Sequence, residues 1–266
     1  MMAEGEGTLN LAEAALLIAQ EEYPDVVPSA YLARLDRMAD EVDRRSRNEK
    51  DGRGRLNALN RYLFETVRFS GNSGEYYDPR NSFLNEVLDR RTGIPITLST
   101  VYLEVGWRLG MPLHGVGFPG HFLVKHSSLE EDIVIDPFHQ GQILTEEDCQ
   151  SRLDQSYGGQ VQFRQSLLAA ATKREILIRI LTNLKGIYVT VKDHRRALAA
   201  VERILLIDPG LDREIRDRGV LRMQLQQTSQ GSADLERYLT TNPQAEDAEE
   251  VRARLREWRQ ALASLN

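Results

Sequence analysis

The chain has 266 residues, enough for one large domain or two modest ones around a proper core. Hydrophobic residues make up 41% and charged residues 28%, and the net charge of −6 excludes the basic footprint that non-specific nucleic-acid binding needs. A single cysteine, Cys149, excludes an internal disulfide and fits a reducing compartment. Residues 1–8 carry neither a basic start nor an apolar run of signal length, and no stretch reaches the roughly 18 apolar residues of a membrane span. The expectation is a cytoplasmic protein with neither a membrane nor a nucleic-acid partner.

The chain opens helical. Asn10 or Thr8 can cap a helix over about 10–22 that carries Leu11, Ala14, Ala15 and Ile18 on one face. Pro24 and Pro28 end it and start a second over about 29–46, with Tyr31, Leu32, Leu35, Met38 and Val42 at helical spacing. A third follows Gly52 and Gly54, near 54–68. Residues 71–79 are a loop by composition, and Asn81 or Ser82 caps a short helix over 81–88. A strongly apolar helix then begins at Gly93-Ile94-Pro95 and runs to about Leu109, with Pro95 suiting its first turn and Gly110 its stop. Apolar on most sides, it is expected to be central and buried.

From 112 to about 146 the period changes to that of strands, over 113–118, 121–126, 133–136 and 142–144. Helices followed by a small antiparallel sheet define an α+β arrangement. If the runs 121–126 and 131–136 pair as a hairpin closed over 127–130, His126 faces Glu131 and His121 faces Asp136. Cross-strand partners have Cβ atoms roughly 4.5–5.5 Å apart, so an imidazole–carboxylate hydrogen bond is within reach. Such a pair is the base and orienter of a nucleophilic triad. Phe118-Pro119-Gly120 ahead of His121 is a tight bend that aims the histidine.

A linker near 155–165 leads into a helical tail. Leu181, Leu184, Tyr188, Ala197 and Pro209 fall where a tetratricopeptide unit places its large, leucine, tyrosine, small and proline positions, and Pro243 follows Pro209 by 34 residues, one repeat. Gly219 sits at the glycine position of the second unit, whereas Arg222 and Gly231 depart from its tyrosine and alanine. An amphipathic helix over about 245–263 caps the stack. The expected division is 1–165 for the α+β domain with its N-terminal helices and 166–266 for the helical domain.

Together the blocks Asn81–Leu88, Arg91–Ser99, Trp107–Met111, Phe118–Phe122 and Ile135–Phe138 resemble the transglutaminase-like core, with its papain-like arrangement of a buried helix against a sheet. The resemblance is closest to the bacterial SirB-type variant, in which that core is fused to tetratricopeptide-like helices. In that superfamily a cysteine opens the buried helix, a histidine sits on the following strand and an aspartate on the next. The resemblance implies that His121 takes the histidine role and Asp136 the aspartate role. The cysteine position falls on or beside Pro95, which has neither nucleophile nor N–H. Cys149 lies beyond the sheet in an acidic context that raises a thiol pKa, so it does not substitute.

Two function classes follow. The leading one is a non-catalytic or catalytically altered protein that binds a protein or peptide partner through its helical repeats, with a regulatory module in a larger assembly as a variant of it. Its rival is an acyl-transfer enzyme acting on amides or esters, with His121 as base, Asp136 as orienter and Thr97 or Ser99 as nucleophile. Structural back-bonding within the helix is the alternative role of those two hydroxyls. Asn81, Glu86 and Tyr77 are candidates for a polar network before His121, against ordinary capping. His114, His126 and His139 are candidates to gather with His121 and Asp136, but their spacing matches none of the usual ligand signatures, so no metal and no cofactor is expected. The arginine-rich stretches at 44–47 and 213–222 alternate with acids, as on a solvated helix face.

Overall fold

The computed structural model describes residues 9–47, 49, 51–127 and 132–263. The chain forms two compact units that divide between Ile180 and Leu181. This is later than the 165/166 division read from composition, because the short strand Ala170–Ala171 still pairs into the sheet and Ile176 packs against Gly115.

In the first unit, α1 (Leu11–Gln20) starts at Asn10, whose side chain accepts the Glu13 N–H, and α2 (Pro28–Ser46) starts with its proline in the first turn. Helix α3 (Gly52–Asn60), capped by Asp51, continues as a π-helical turn over Arg61–Thr66, so the single helix expected over 54–68 is two segments. Part of the expected loop is ordered by a pair of two-residue strands, β1 (Ser70–Gly71) parallel to β2 (Thr92–Gly93). Pro79–Ser82 form a 3₁₀ turn and α4 spans Leu84–Arg90, so the helix expected over 81–88 is likewise split.

Helix α5 (Pro95–Arg108) is buried from Pro95 to Gly106, as its all-round apolarity requires. It packs on α1, α2, α4 and the sheet. Its one buried acid, Glu104, accepts the Ala12 N–H at 2.9 Å and pairs with Arg108, so a buried charge is both paired and hydrogen-bonded.

The sheet is antiparallel and has five strands in the order β6–β5–β4–β3–β7: β3 Leu113–Val116, β4 Leu123–His126, β5 Ile133–Asp136, β6 Gln142–Leu144 and β7 Ala170–Ala171. Its other face is closed by α6 (Glu146–Tyr157), where Val116, Leu123, Val134 and Leu144 pack with Cys149, Leu153 and Leu168. Helix α6 was missed in the sequence, although Thr145 and Asp148 form a reciprocal capping box at its start.

The register corrects the expected hairpin. His126 pairs with Ile133, Lys125 with Val134 and Val124 with Ile135, two residues away from the register inferred from a four-residue closure. Glu131, the expected partner of His126, lies outside the described residues. A slip of two keeps every side chain on its face, whereas a slip of one would not. The residues of the hairpin therefore keep their sides, and His121 falls in the bend before β4 rather than on it.

The second unit contains the end of α7 (Lys173–Thr190), then α8 (His194–Ile207), α9 (Asp212–Gln224), α10 (Thr228–Thr241) and α11 (Ala248–Ala263). Successive helices pack from α8 to α11. Asp234 on α10 bridges Arg218 and Arg222 of α9, and Arg222 also meets Glu202 of α8. Among the described residues no helix is long and apolar enough to cross a membrane.

Candidate functional site

His121 is aimed by the bend that precedes it. Pro119 is the second residue of a four-residue turn and Gly120 the third, with φ +69°, and the His121 N–H closes the turn on the Phe118 carbonyl at 2.9 Å. Proline followed by a left-handed glycine is the type II signature. Asp136 ends β5 and begins a 3₁₀ turn over Pro137–His139, where its Oδ1 accepts the N–H groups of Phe138 at 3.0 Å and His139 at 3.2 Å. The residues of the Asp-Pro-Phe-His run thus hold one another by local bonds.

His121 Nε2 lies 2.9 Å from Asp136 Oδ2. His139 Nδ1 reaches the same oxygen at 2.8 Å, and a terminal nitrogen of Arg152, on α6, reaches it at 2.9 Å. Asp136 is fully buried, the His121 side chain is 14% exposed and the His139 side chain 47% exposed. Burial pushes the Asp136 carboxyl upward, but the hydrogen bonds and charges of His121, His139 and Arg152 outweigh it and hold the pKa at about 2. An ionised Asp136 only accepts, so neutral His121 carries its proton on Nε2 and presents the Nδ1 lone pair on its opposite edge. Phe138 meets the His121 ring edge to face at 5.9 Å, and Tyr76 packs behind Phe138 at 6.4 Å.

The two hydroxyls singled out in the sequence are engaged elsewhere. Thr97 is fully buried; its hydroxyl donates to the Asn81 carbonyl at 2.7 Å and accepts the Ile94 N–H at 3.1 Å. Ser99, also fully buried, places its hydroxyl 3.4 Å from the Phe122 carbonyl. Neither has a hydrogen bond to His121 among the described residues. Pro95 is the first residue of α5. The Cys149 thiol is buried in the α6 face of the core, and burial pushes its pKa up to about 11 although Arg152 pulls it down.

Asn81 is a buried brace, since its side-chain amide donates to the Glu75 carbonyl at 2.7 Å and accepts from Asn72 at 3.1 Å. Tyr77 is exposed and packs edge to face on Tyr76, and Glu86 is not among the site contacts of the described residues. Arg152 and His139 are the site residues that the sequence reading left out or set aside. Arg152 was legible only through the capping box of α6, and His139 only through the turn that Asp136 nucleates.

A buried helix opened by Pro95, a sheet that sets a histidine against an aspartate and a helical tail together define a transglutaminase-like core joined to tetratricopeptide-like helices. The comparisons agree: a family model of the transglutaminase-like superfamily matches residues 29–182, and one of the tetratricopeptide repeat matches residues 184–256. The chain belongs to the transglutaminase-like superfamily and, within it, to the UPF0162 proteins. It is 41% identical over 253 residues to a UPF0162 protein of Xylella fastidiosa strain 9a5c, covering 93% of this chain and 89% of that one. It is 32% identical over 219 residues to a UPF0162 protein of Vibrio cholerae, covering 82% and 81%. Mouse F-box only protein 21 is 35% identical over 137 residues, 48% of this chain and 21% of that protein.

Proposed function

We propose that this chain is a non-catalytic transglutaminase-like protein that binds a protein or peptide partner through its tetratricopeptide-like helices. The observation that carries this reading is the start of α5. Pro95 stands where the superfamily has its cysteine, and the two candidate hydroxyls, Thr97 and Ser99, are buried against backbone carbonyls. Neither hydroxyl is hydrogen-bonded to His121 among the described residues, which leaves the base and its orienter without these nucleophiles. Tetratricopeptide repeats generally mediate protein–protein interaction, and the second unit carries a cavity of about 590 Å³ whose lining includes Val189, Val220, Val251 and Trp258.

The test sets wild type against His121→Ala on a panel of activated esters and amides, alongside affinity capture with wild type and Val220→Glu. The reading expects no His121-dependent turnover and a partner that Val220→Glu loses. Turnover that collapses in His121→Ala, with no partner captured, would overturn it. The acyl-transfer alternative is favoured by the 2.9 Å His121–Asp136 contact alone.

A further inference from the structure

We propose that His121 Nε2, Asp136 Oδ2 and His139 Nδ1 form a binding site for a divalent transition-metal cation of the zinc class. These three atoms lie within 4.8 Å of one another, and the two imidazole nitrogens stand 2.9 and 2.8 Å from the carboxylate oxygen they share. Two imidazoles and a carboxylate are a donor set that zinc, cobalt and ferrous iron accept, and one that calcium and magnesium, which favour all-oxygen shells, do not. A tetrahedral cation about 2.1 Å from each ligand spaces them by roughly 3.4 Å, so each imidazole nitrogen moves about half an ångström away from the shared oxygen.

The framework suits such a site. Each ligand is placed by backbone structure: His121 by the turn over Phe118–His121, Asp136 by the end of β5 and His139 by the 3₁₀ turn. The second carboxylate oxygen is held by the N–H groups of Phe138 and His139, the outer bonding that orients a ligating carboxylate. His139 is half exposed and gives an entry path. Neutral imidazoles would bind by shifting their protons to His121 Nδ1 and His139 Nε2, so no proton need be lost.

Arg152 is the competitor. Its guanidinium places one positive charge at the same oxygen, 2.9 Å away, and its other terminal nitrogen is 3.2 Å from His139 Nδ1. Its Nε is buried without a hydrogen-bond partner among the described residues, so the group is incompletely satisfied there. Gln142 Oε1, already 3.3 Å from the guanidinium, offers it a place to move. The inference stands apart from the partner-binding reading, since it concerns the first unit alone.

The test is calorimetric titration of the untagged, EDTA-stripped full chain with zinc chloride, repeated with cobalt(II) followed by its visible absorption. Expected are one saturable equivalent, weakening by more than about tenfold in His139→Ala and in the more conservative His139→Gln, and tightening by about tenfold in Arg152→Gln, where a like charge is removed. His114→Ala, exposed and outside the cluster, should bind as wild type does. Absence of saturable binding in both wild type and Arg152→Gln would overturn the proposal. So would an affinity that both His139 variants, shown to be folded by circular dichroism, leave unchanged.

Discussion

Thr97 donates its hydroxyl to the carbonyl of Asn81 at 2.7 Å, tying the first turn of α5 to the 3₁₀ turn over Pro79–Ser82. The same oxygen accepts the Ile94 N–H. A hydroxyl occupied on both sides at a fully buried position works as a brace.

Thr97→Val keeps the shape and removes both bonds, leaving a buried carbonyl and N–H without this partner. The expected loss is about 1–3 kcal/mol, read as a lower urea midpoint at unchanged slope. No loss of stability would show that the brace is dispensable and would reopen a chemical role for the hydroxyl.

The Asp136 carboxyl, held at about 2 against an ordinary 3.8, couples stability to acid. A depressed carboxyl contributes stability that is fully present above its unfolded value and is lost as pH falls through the folded one. For the EDTA-treated protein the window is therefore about pH 4 down to about pH 2, with about 2 kcal/mol at stake. Urea midpoints across this range should fall for wild type, and Asp136→Asn should start lower and lose less.

Burial makes the Cys149 thiol a poor nucleophile. Iodoacetamide at pH 8 should leave it unlabelled in the native chain and modify it fully in urea. Rapid native labelling would show that the α6 face opens readily.

Helices α9 and α10 approach closely at Gly231. A Cβ there would stand 2.8 Å from the Met223 sulfur and 2.9 Å from the Gly219 carbonyl oxygen. The repeat pattern favours alanine at this position, and alanine gains about 1 kcal/mol of helix propensity over glycine. Overpacking against a fixed carbonyl costs about 1–3 kcal/mol, so Gly231→Ala should lower Tm by about 2–4 °C. A raised Tm would mean that the two helices separate at little cost.

The residues alone determined much of this molecule. Apolar spacing at 3.6 placed α1 and α2, all-round apolarity marked α5 as central, and Pro119-Gly120 announced the turn that aims His121, because each of these signals is local. Proline at the start of α5 was also legible, since it is read directly from the residues. The two-residue shift of the hairpin was not, because pairing is settled by what packs on both faces of β4 and β5. The hydroxyl of Thr97 met Asn81, and Arg152 met Asp136, only because different elements of the fold pack onto one carbonyl or one oxygen. His121, Asp136 and His139 match no ligand spacing in sequence, yet a bend, a strand end and a 3₁₀ turn bring them together. The turn after β5 brings His139 to Asp136 locally, but only the tertiary structure brings His121 and Arg152 to the same oxygen, since that depends on how separate elements pack.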